Sequence, residues 1–488
     1  MSYSPIAPLD PKGPEQGLGK AEVEPLSAST LPASSYAQEY GHHHGPAHRE
    51  RRRVGRRVFH FLVAGTFVWL LLSFLAKGSF HGWIRHHRHR ETWTQLGKMD
   101  GDYEYVIPGD VVIDECVQGG DWTPSEFSSA VEFPGQEADA YPFHYEAETS
   151  FDLPLSSDTL FFISRGRLHS GSVRVATSSD QAEDTATVNI IVRYNHDYLL
   201  DSTKACLLSR HEGEKGVGLF TPEWRRGRRF PGRDGQIRYE LSVVLPELSV
   251  EALPLTIKNF ETDIVNSAHF LEDLNGKVFF DSLLLKGSNG PVHAKSVNST
   301  TVEVHASNAP IYGKFNTTSS LVLETSNGPI FVDVGLESDA DGSSPTFKAH
   351  TSNGKIEAHT SLTSASGSGG SFEVTTSTSN APLVVTFPAS PVDSKLNLKG
   401  STSNAQAAVF LHPAYEGSFD LHTSLARPSV NRNPEVEDPT GQGRKRVLEI
   451  SNYGRPSTTG NVYWGAGERK SEGSVVVRTS ISPVVLAL

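Results

Sequence analysis

The chain has 488 residues, 29 of them proline and 43 glycine, with two cysteines and a formal net charge of −12. That is room for two or three domains, and two cysteines exclude both a disulfide-dense scaffold and a four-thiolate zinc site. Residues 1–98 carry 13 Lys or Arg against 7 Asp or Glu and the remainder 31 against 49, so the bulk of the chain is acidic and nucleic acid is disfavoured as a partner.

Residues 1–48 are rich in Pro, Ser, Ala, Gly and Glu without apolar periodicity; they read as a disordered tail. A basic juxtamembrane segment, 49–57, comes next, with Arg49, Arg51, Arg52, Arg53, Arg56 and Arg57. Residues 58–76, VFHFLVAGTFVWLLLSFLA, are nineteen residues without formal charge, and about 20 residues of helix cross a hydrocarbon core. They predict one transmembrane helix. The denser arginine cluster on its N-terminal side predicts a cytoplasmic N-terminus, with anionic membrane lipid as a partner of the basic flanks. The expected location is a single pass through the plasma membrane or a membrane of the secretory pathway. Residues 77–105 form a basic stalk whose His86, His87 and His89, like His42, His43 and His44 in the tail, read as solvated.

Residues 106–250 form a β-rich region without the later repeat. DTLFFIS (158–164), GSVRVAT (171–177), ATVNIIVRY (186–194), ACLLSR (205–210) and IRYELSVVL (237–245) read as strands. They suggest a sandwich-like cap on the repeats downstream, since terminal units of a stack need caps. Cys116 and Cys206 both fall in this region; in an oxidising lumen they would pair, and two free buried thiols fit the sequence as well. The loop bearing Arg225, Arg226, Arg228 and Arg229 is a possible anion patch for glycan or phosphate, a dibasic processing site, or an exposed loop balancing acidic neighbours.

Residues 251–426 are built on a recurring Ser-Asn-Gly or Ser-Asn-Ala, centred on Asn289, Asn308, Asn327, Asn353, Asn380 and Asn404. Intervals of 19, 19, 26, 27 and 24 residues, then 21 to a degenerate copy at Leu425, are those of stacked β units. Four residues before the asparagine stand Leu285, Val304, Leu323 and Ala349; six before, Leu283, Val302, Leu321 and Phe347; three after, Val292, Ile311, Ile330, Ile356, Leu383 and Ala407. Spacing of two puts these on one strand face. Each copy is expected to be a strand, a turn and a strand, with the copies at Asn380 and Asn404 lengthened by two residues in the first strand or the turn. Asn tolerates the left-handed region and Gly occupies it freely, and Asn-Gly favours a tight hairpin turn, which Asn-Ala fits less well. Recurrence of Asn rather than Gly points to a task for its side chain. The stacked amides can form a ladder; the alternative is a surface turn residue with local bonds only. The sequons Asn298-Ser299-Thr300 and Asn316-Thr317-Thr318 sit in the links between copies and predict N-glycosylation and a lumenal or exterior C-terminal part. Residues 427–446 read as a loop or linker, and 447–488 as strands that close the sheet.

YELSVVLPE (239–247), LTIKNFETDI (255–264), LLLKGSNGPV, VEVHASNAPI, LVLETSNGPI and FKAHTSNGKI resemble the adhesin-like β-strand-repeat family, a domain of unknown function in bacterial envelope proteins with related sequences in fungal membrane proteins. The resemblance implies an all-β chain: a β-solenoid-like stack outside a membrane. It supplies no catalytic residue.

No GxSxG, HExxH, P-loop or dinucleotide fingerprint is present. Asp333, Glu337, Asp339 and Asp341 suggest a flexible acidic loop rather than a carboxylate pair held for glycoside hydrolysis. No cofactor or metal is expected. The reading is a non-enzymatic single-pass membrane protein whose repeats meet cell-wall or surface glycan, their Ser and Thr hydroxyls spaced for sugars, or another protein. A structural or trafficking role and, less favoured, a polysaccharide-active enzyme are the alternatives. Oligomeric state is open.

Overall fold

A computed structural model describes residues 104–125, 143–167, 169–223, 235–249, 253–339, 343–433, 435–454 and 456–488. The predicted tail, juxtamembrane segment, transmembrane helix and nearly all of the stalk lie outside the described residues, as do Arg225, Arg226, Arg228 and Arg229.

The described chain is nearly all β. It opens with β1 (Val112–Gln118), β2 (Thr123–Ser125) and β3 (Tyr145–Pro154). Next come β4 (Thr159–Arg165), β5 (His169–Ser178), β6 (Thr185–Tyr194), β7 (Lys204–Ser209), β8 (Glu214–Phe220) and β9 (Ile237–Pro246). The repeats begin with β10 (Leu255–Asp263), β11 (Ser267–Asp273), β12 (Val278–Lys286), β13 (Val292–His305), β14 (Ile311–Glu324) and β15 (Ile330–Ser338). They continue with β16 (Thr346–His350), β17 (Ile356–Ser364), β18 (Ser371–Ser377), β19 (Leu383–Thr386), β20 (Lys395–Ser401) and β21 (Ala407–Phe410). The last strands are β22 (Gly417–Thr423), β23 (Ser429–Asn431), β24 (Arg446–Tyr453), β25 (Ser457–Trp464), β26 (Gly473–Thr479) and β27 (Val484–Ala487).

Two parallel columns hold them. One runs β8, β4, β10, β12, the second half of β13, the second half of β14, β16, β18, β20, β26, β22. The other runs β9, β5, β11, the first half of β13, the first half of β14, β15, β17, β19, β21, β27, β23. The inward faces meet in one core that includes the fully buried Phe260, Phe280, Phe315, Phe347 and Phe372. Alternation sorts the rest: β17 reads buried Ile356, Ala358, Thr360 and Leu362 between more exposed neighbours.

The expected strand-turn-strand copies are present and stacked, without the tight hairpin turn that Asn-Gly favours. The strands on either side of each Ser-Asn turn do not pair with each other as in a hairpin. Each pairs with its counterpart one coil away, in register: Val292, Ile311, Ile330, Ile356, Leu383 and Ala407 form one inward row. The turn is a corner between columns. The intervals of 19 are coils in which β13 and β14 pass straight through the opposite corner, with register irregularities at Ala294/Val297 and Ser299/Thr301. Longer intervals place their extra residues there, between β15 and β16, β17 and β18, and β19 and β20. The copies at Asn380 and Asn404 are therefore not lengthened before or at the turn: Thr376 and Gly400 align with Ala349.

The region expected as a separate sandwich-like cap is continuous with the repeats, since β4/β5 and β8/β9 are coils in the same columns. Only its outer strands behave as a cap. β7 and β1 run antiparallel outside β8, and β6, β3 and β2 outside β9. At the other end β25 and β24 lie antiparallel outside β22. These outer strands cover the ladders of β8, β9 and β22, and β1, β2, β23 and β24 are the outermost strands. The order of coils is also not the order of the sequence. The first coil, β4/β5, lies between β8/β9 and β10/β11. The last, β26/β27, lies between β20/β21 and β22/β23 rather than at the end.

Candidate binding face

At the Ser-Asn corners the asparagine amides form a continuous chain. Nδ2 of Asn289 donates to Oδ1 of Asn266 at 2.5 Å, Asn308 to Asn289 at 2.7 Å, and Asn327 to Asn308 at 2.6 Å. Asn353, Asn380 and Asn404 continue it, each 2.6 Å from the asparagine before. The backbone runs along the same axis: N–H of Asn327 and of Ser326 both donate to the carbonyl of Ser307. The left-handed conformation expected at these turns is confined to Asn266, φ 56°, at the accepting end. Glycine serves another purpose: a Cβ on Gly354 would lie 1.8 Å from the carbonyl oxygen of Gly328, so the turns stack at backbone contact. The next coil in space carries Ile481 where an asparagine would stand, its N–H on the carbonyl of Ser403, and Leu425 comes one coil later.

Two further columns were not foreseen. Thr325, Thr351, Thr378 and Thr402, two residues before the asparagine, are buried. Oγ1 of Thr351 donates to the Gly328 carbonyl at 3.0 Å and accepts from the Gly354 N–H at 3.1 Å. These four hydroxyls stitch backbone inside and are not available to sugars. At the opposite corner Nδ2 of Asn298 donates to Oδ1 of Asn275 at 2.7 Å, and Nδ2 of Asn316 to Oδ1 of Asn298 at 2.8 Å. The sequon asparagines thus form a second, shorter ladder. Cys116 and Cys206 stand opposite each other on β1 and β7 and form a disulfide.

The outward face of the second column gathers a row of rings, with His293 and Tyr312 exposed, Phe331 half-buried and Phe270 buried. Since the third and fifth residues after the asparagine point inward, the fourth and sixth point out. The fourth position gives Phe270, His293, Tyr312, Phe331 and Glu357 in one row. Phe270–His293 and His293–Tyr312 centroids are 6.4 Å apart, edge to face; Tyr312 and Phe331 stack at 5.7 Å and 5°, offset geometries that aromatic pairs favour. Cations bracket the row, with the Arg174 guanidinium 5.9 Å from the Phe270 centroid and Lys355 Nζ 5.6 Å from that of Phe331. The sixth position gives Lys295, Lys314, Asp333 and His359. Between the rows is an open hollow of about 540 Å³ lined by His293, Gly313, Lys314, Phe331, Asp333 and His359, among others. Gly313 (φ 139°) forms its floor, where a Cβ would fall 2.1 Å from the carbonyl oxygen of Ala294.

Ion pairs fix the rim. Glu272 accepts from Arg174 and Lys295; burial pushes its carboxyl up, but the Lys295 and Arg174 cations outweigh that and hold it below the usual range. The hydrogen bond from Lys355, 2.5 Å long, holds Glu357 low, the opposite of what a general acid needs. Asp333 and Glu337, expected in an acidic loop, lie on β15 instead. The arrangement presents apolar ring faces beside planar polar groups. The sequence signal for it was the residue type four places after each asparagine.

Among the described residues no helix is long and apolar enough to cross a membrane, and no three His, Cys, Asp or Glu side chains converge on a metal position. No protein-family model matches the chain, and no curated protein does. Among solved structures, a "putative cell adhesion protein" of Clostridium sporogenes aligns with 70% of this chain and 99% of its own at 10% identity and a TM-score of 0.15. A "putative adhesin" of Bacteroides fragilis aligns with 70% and 96% at 8% identity and 0.28. At such scores neither likeness bears on fold or role; the architecture rests on the strand pairings.

Proposed function

We propose that the chain is a non-enzymatic, single-pass membrane protein whose β-solenoid-like stack presents the Phe270–Phe331 face to a carbohydrate of the cell surface or envelope. The observation that carries this is the row of rings beside Lys314, Asp333 and His359. Sugar rings offer one apolar face for stacking and a rim of hydroxyls for planar donors and acceptors. The apolar run at 58–76, the arginines at 49–57 and the two sequons support an orientation with the N-terminus in the cytoplasm and the stack in the lumen or outside.

A glycan array probed with wild type and with a Tyr312→Ala, Phe331→Ala double variant tests it. Wild type should bind a class of saccharide, and the variant should lose about tenfold or more, the usual cost of removing aromatic anchors. Tyr453→Ala, an exposed ring elsewhere (72% accessible), should change nothing. Wild type binding no saccharide, or all three proteins binding alike, refutes the assignment. The structural or trafficking reading then gains, favoured by two amide ladders that make the stack a stiff spacer.

A further inference from the structure

The second ladder bears on the chemistry of its own asparagines. Asn298 donates through Nδ2 to Asn275 and accepts through Oδ1 from Asn316. Its N–H and C=O therefore point in opposite directions along the stack, so the donating hydrogen is the one anti to the carbonyl. The other hydrogen is syn to the oxygen and points away from Cβ. Ser299 and Thr317 are buried, while Asn298, Thr300, Asn316 and Thr318 beside them are each partly exposed. Opposite Asn316 the next coil has Gly335, where a Cβ would fall 2.3 Å from Asn316 Oδ1, and the ladder stops there.

We propose that Asn298 and Asn316 are N-glycan acceptors whose modified amides remain in the ladder. This rests on the lumenal orientation proposed above. The donor class is an oligosaccharide activated on a lipid pyrophosphate. The C1–Nδ2 bond forms, the C1–O bond to the pyrophosphate breaks, the lipid pyrophosphate leaves, and Nδ2 gives up one hydrogen as a proton. The product is a secondary amide, which keeps its two carbon substituents trans, as a peptide does. C1 then lies syn to Oδ1, on the outward side, and the remaining N–H is the anti one that the ladder uses. Adjacent strands lie about 4.8 Å apart, so the two glycans would rise side by side from neighbouring coils.

The test uses the full chain made in cells with a secretory pathway. Thr300→Ala and Thr318→Ala should each remove one glycan while leaving both asparagines in place. One portion of wild type is trimmed by an endoglycosidase that leaves a single sugar on an intact amide. Another is treated under native conditions with an amidase that converts the asparagine to aspartate. The trimmed protein should melt with the untreated one. The amidase product, which has no N–H to give Asn275, should melt at least about 2 °C lower. Identical melting of the two products overturns the retained ladder. Absence of both glycans while a C-terminal tag is protease-protected in sealed microsomes overturns the acceptor sites and spares the orientation. An unprotected tag overturns the orientation, and the acceptor sites with it.

Discussion

Replacing Thr351 with valine should cost more than replacing the asparagine whose recurrence defines the repeat. Thr351 is fully buried. Its Oγ1 holds the Gly328 carbonyl at 3.0 Å and the Gly354 N–H at 3.1 Å. Valine keeps shape and strand preference but leaves the Gly354 N–H buried without a partner, at about 1–3 kcal/mol, and forfeits a hydrogen bond of roughly 1 kcal/mol. The expected loss is about 2–4 kcal/mol. Asn327→Ala removes two ladder bonds, yet the site is exposed and water can replace both partners, so about 1 kcal/mol is expected. Native-state hydrogen exchange reads this locally: the Gly354 amide should exchange roughly 30- to 1,000-fold faster in Thr351→Val if protection tracks the lost stability. An unchanged Gly354 amide, or an Asn327→Ala loss equal to that of Thr351→Val, would refute the reasoning that burial decides between the two columns.

His269, buried with Nε2 2.9 Å from Thr262 Oγ1, has its pKa lowered by burial to about 4. Folded protein then binds fewer protons than unfolded between pH 6.5 and about 4, so stability falls with pH through that window by roughly 3 kcal/mol and levels off below it; His269→Gln should flatten this part of the profile, and equal urea-midpoint changes from pH 7 to 4.5 in both proteins would contradict it. The Cys116–Cys206 disulfide spans a sequence separation of 90. A double alanine variant should lose about 2–5 kcal/mol, and a denaturation midpoint that survives reduction unchanged would show that β1 and β7 are held without it.

The repeat was legible because its period, its turn chemistry and its inward positions recur together. Val292, Ile311 and Ile330 are apolar at one fixed offset, and the amide ladder was foreseeable from a turn asparagine that persists while Gly and Ala exchange behind it. Pairing was not legible. Alternation of two places a side chain on a face but not against a partner strand, so hairpin and coil read alike until Val302 is seen opposite Leu321. The coil order at the two ends and the meeting of Cys116 with Cys206 depend on contacts remote in sequence. The row from Phe270 to Phe331 was written at a constant offset too; it escaped because the residue type at that outward position varies from copy to copy.

The intercalated coil β26/β27 imposes a timetable on synthesis. When a ribosome has reached residue 472, β20/β21 and β22/β23 are already made, but the strands that lie between them are not. Those earlier coils must wait with unmatched faces, or meet each other and later part. A chain interrupted at that point would not lose a frayed tip. It would keep an empty slot inside the stack, with Leu398 and Phe419 denied the Val475 that lies between them. The stretch 473–487 acts as a keystone of the stack.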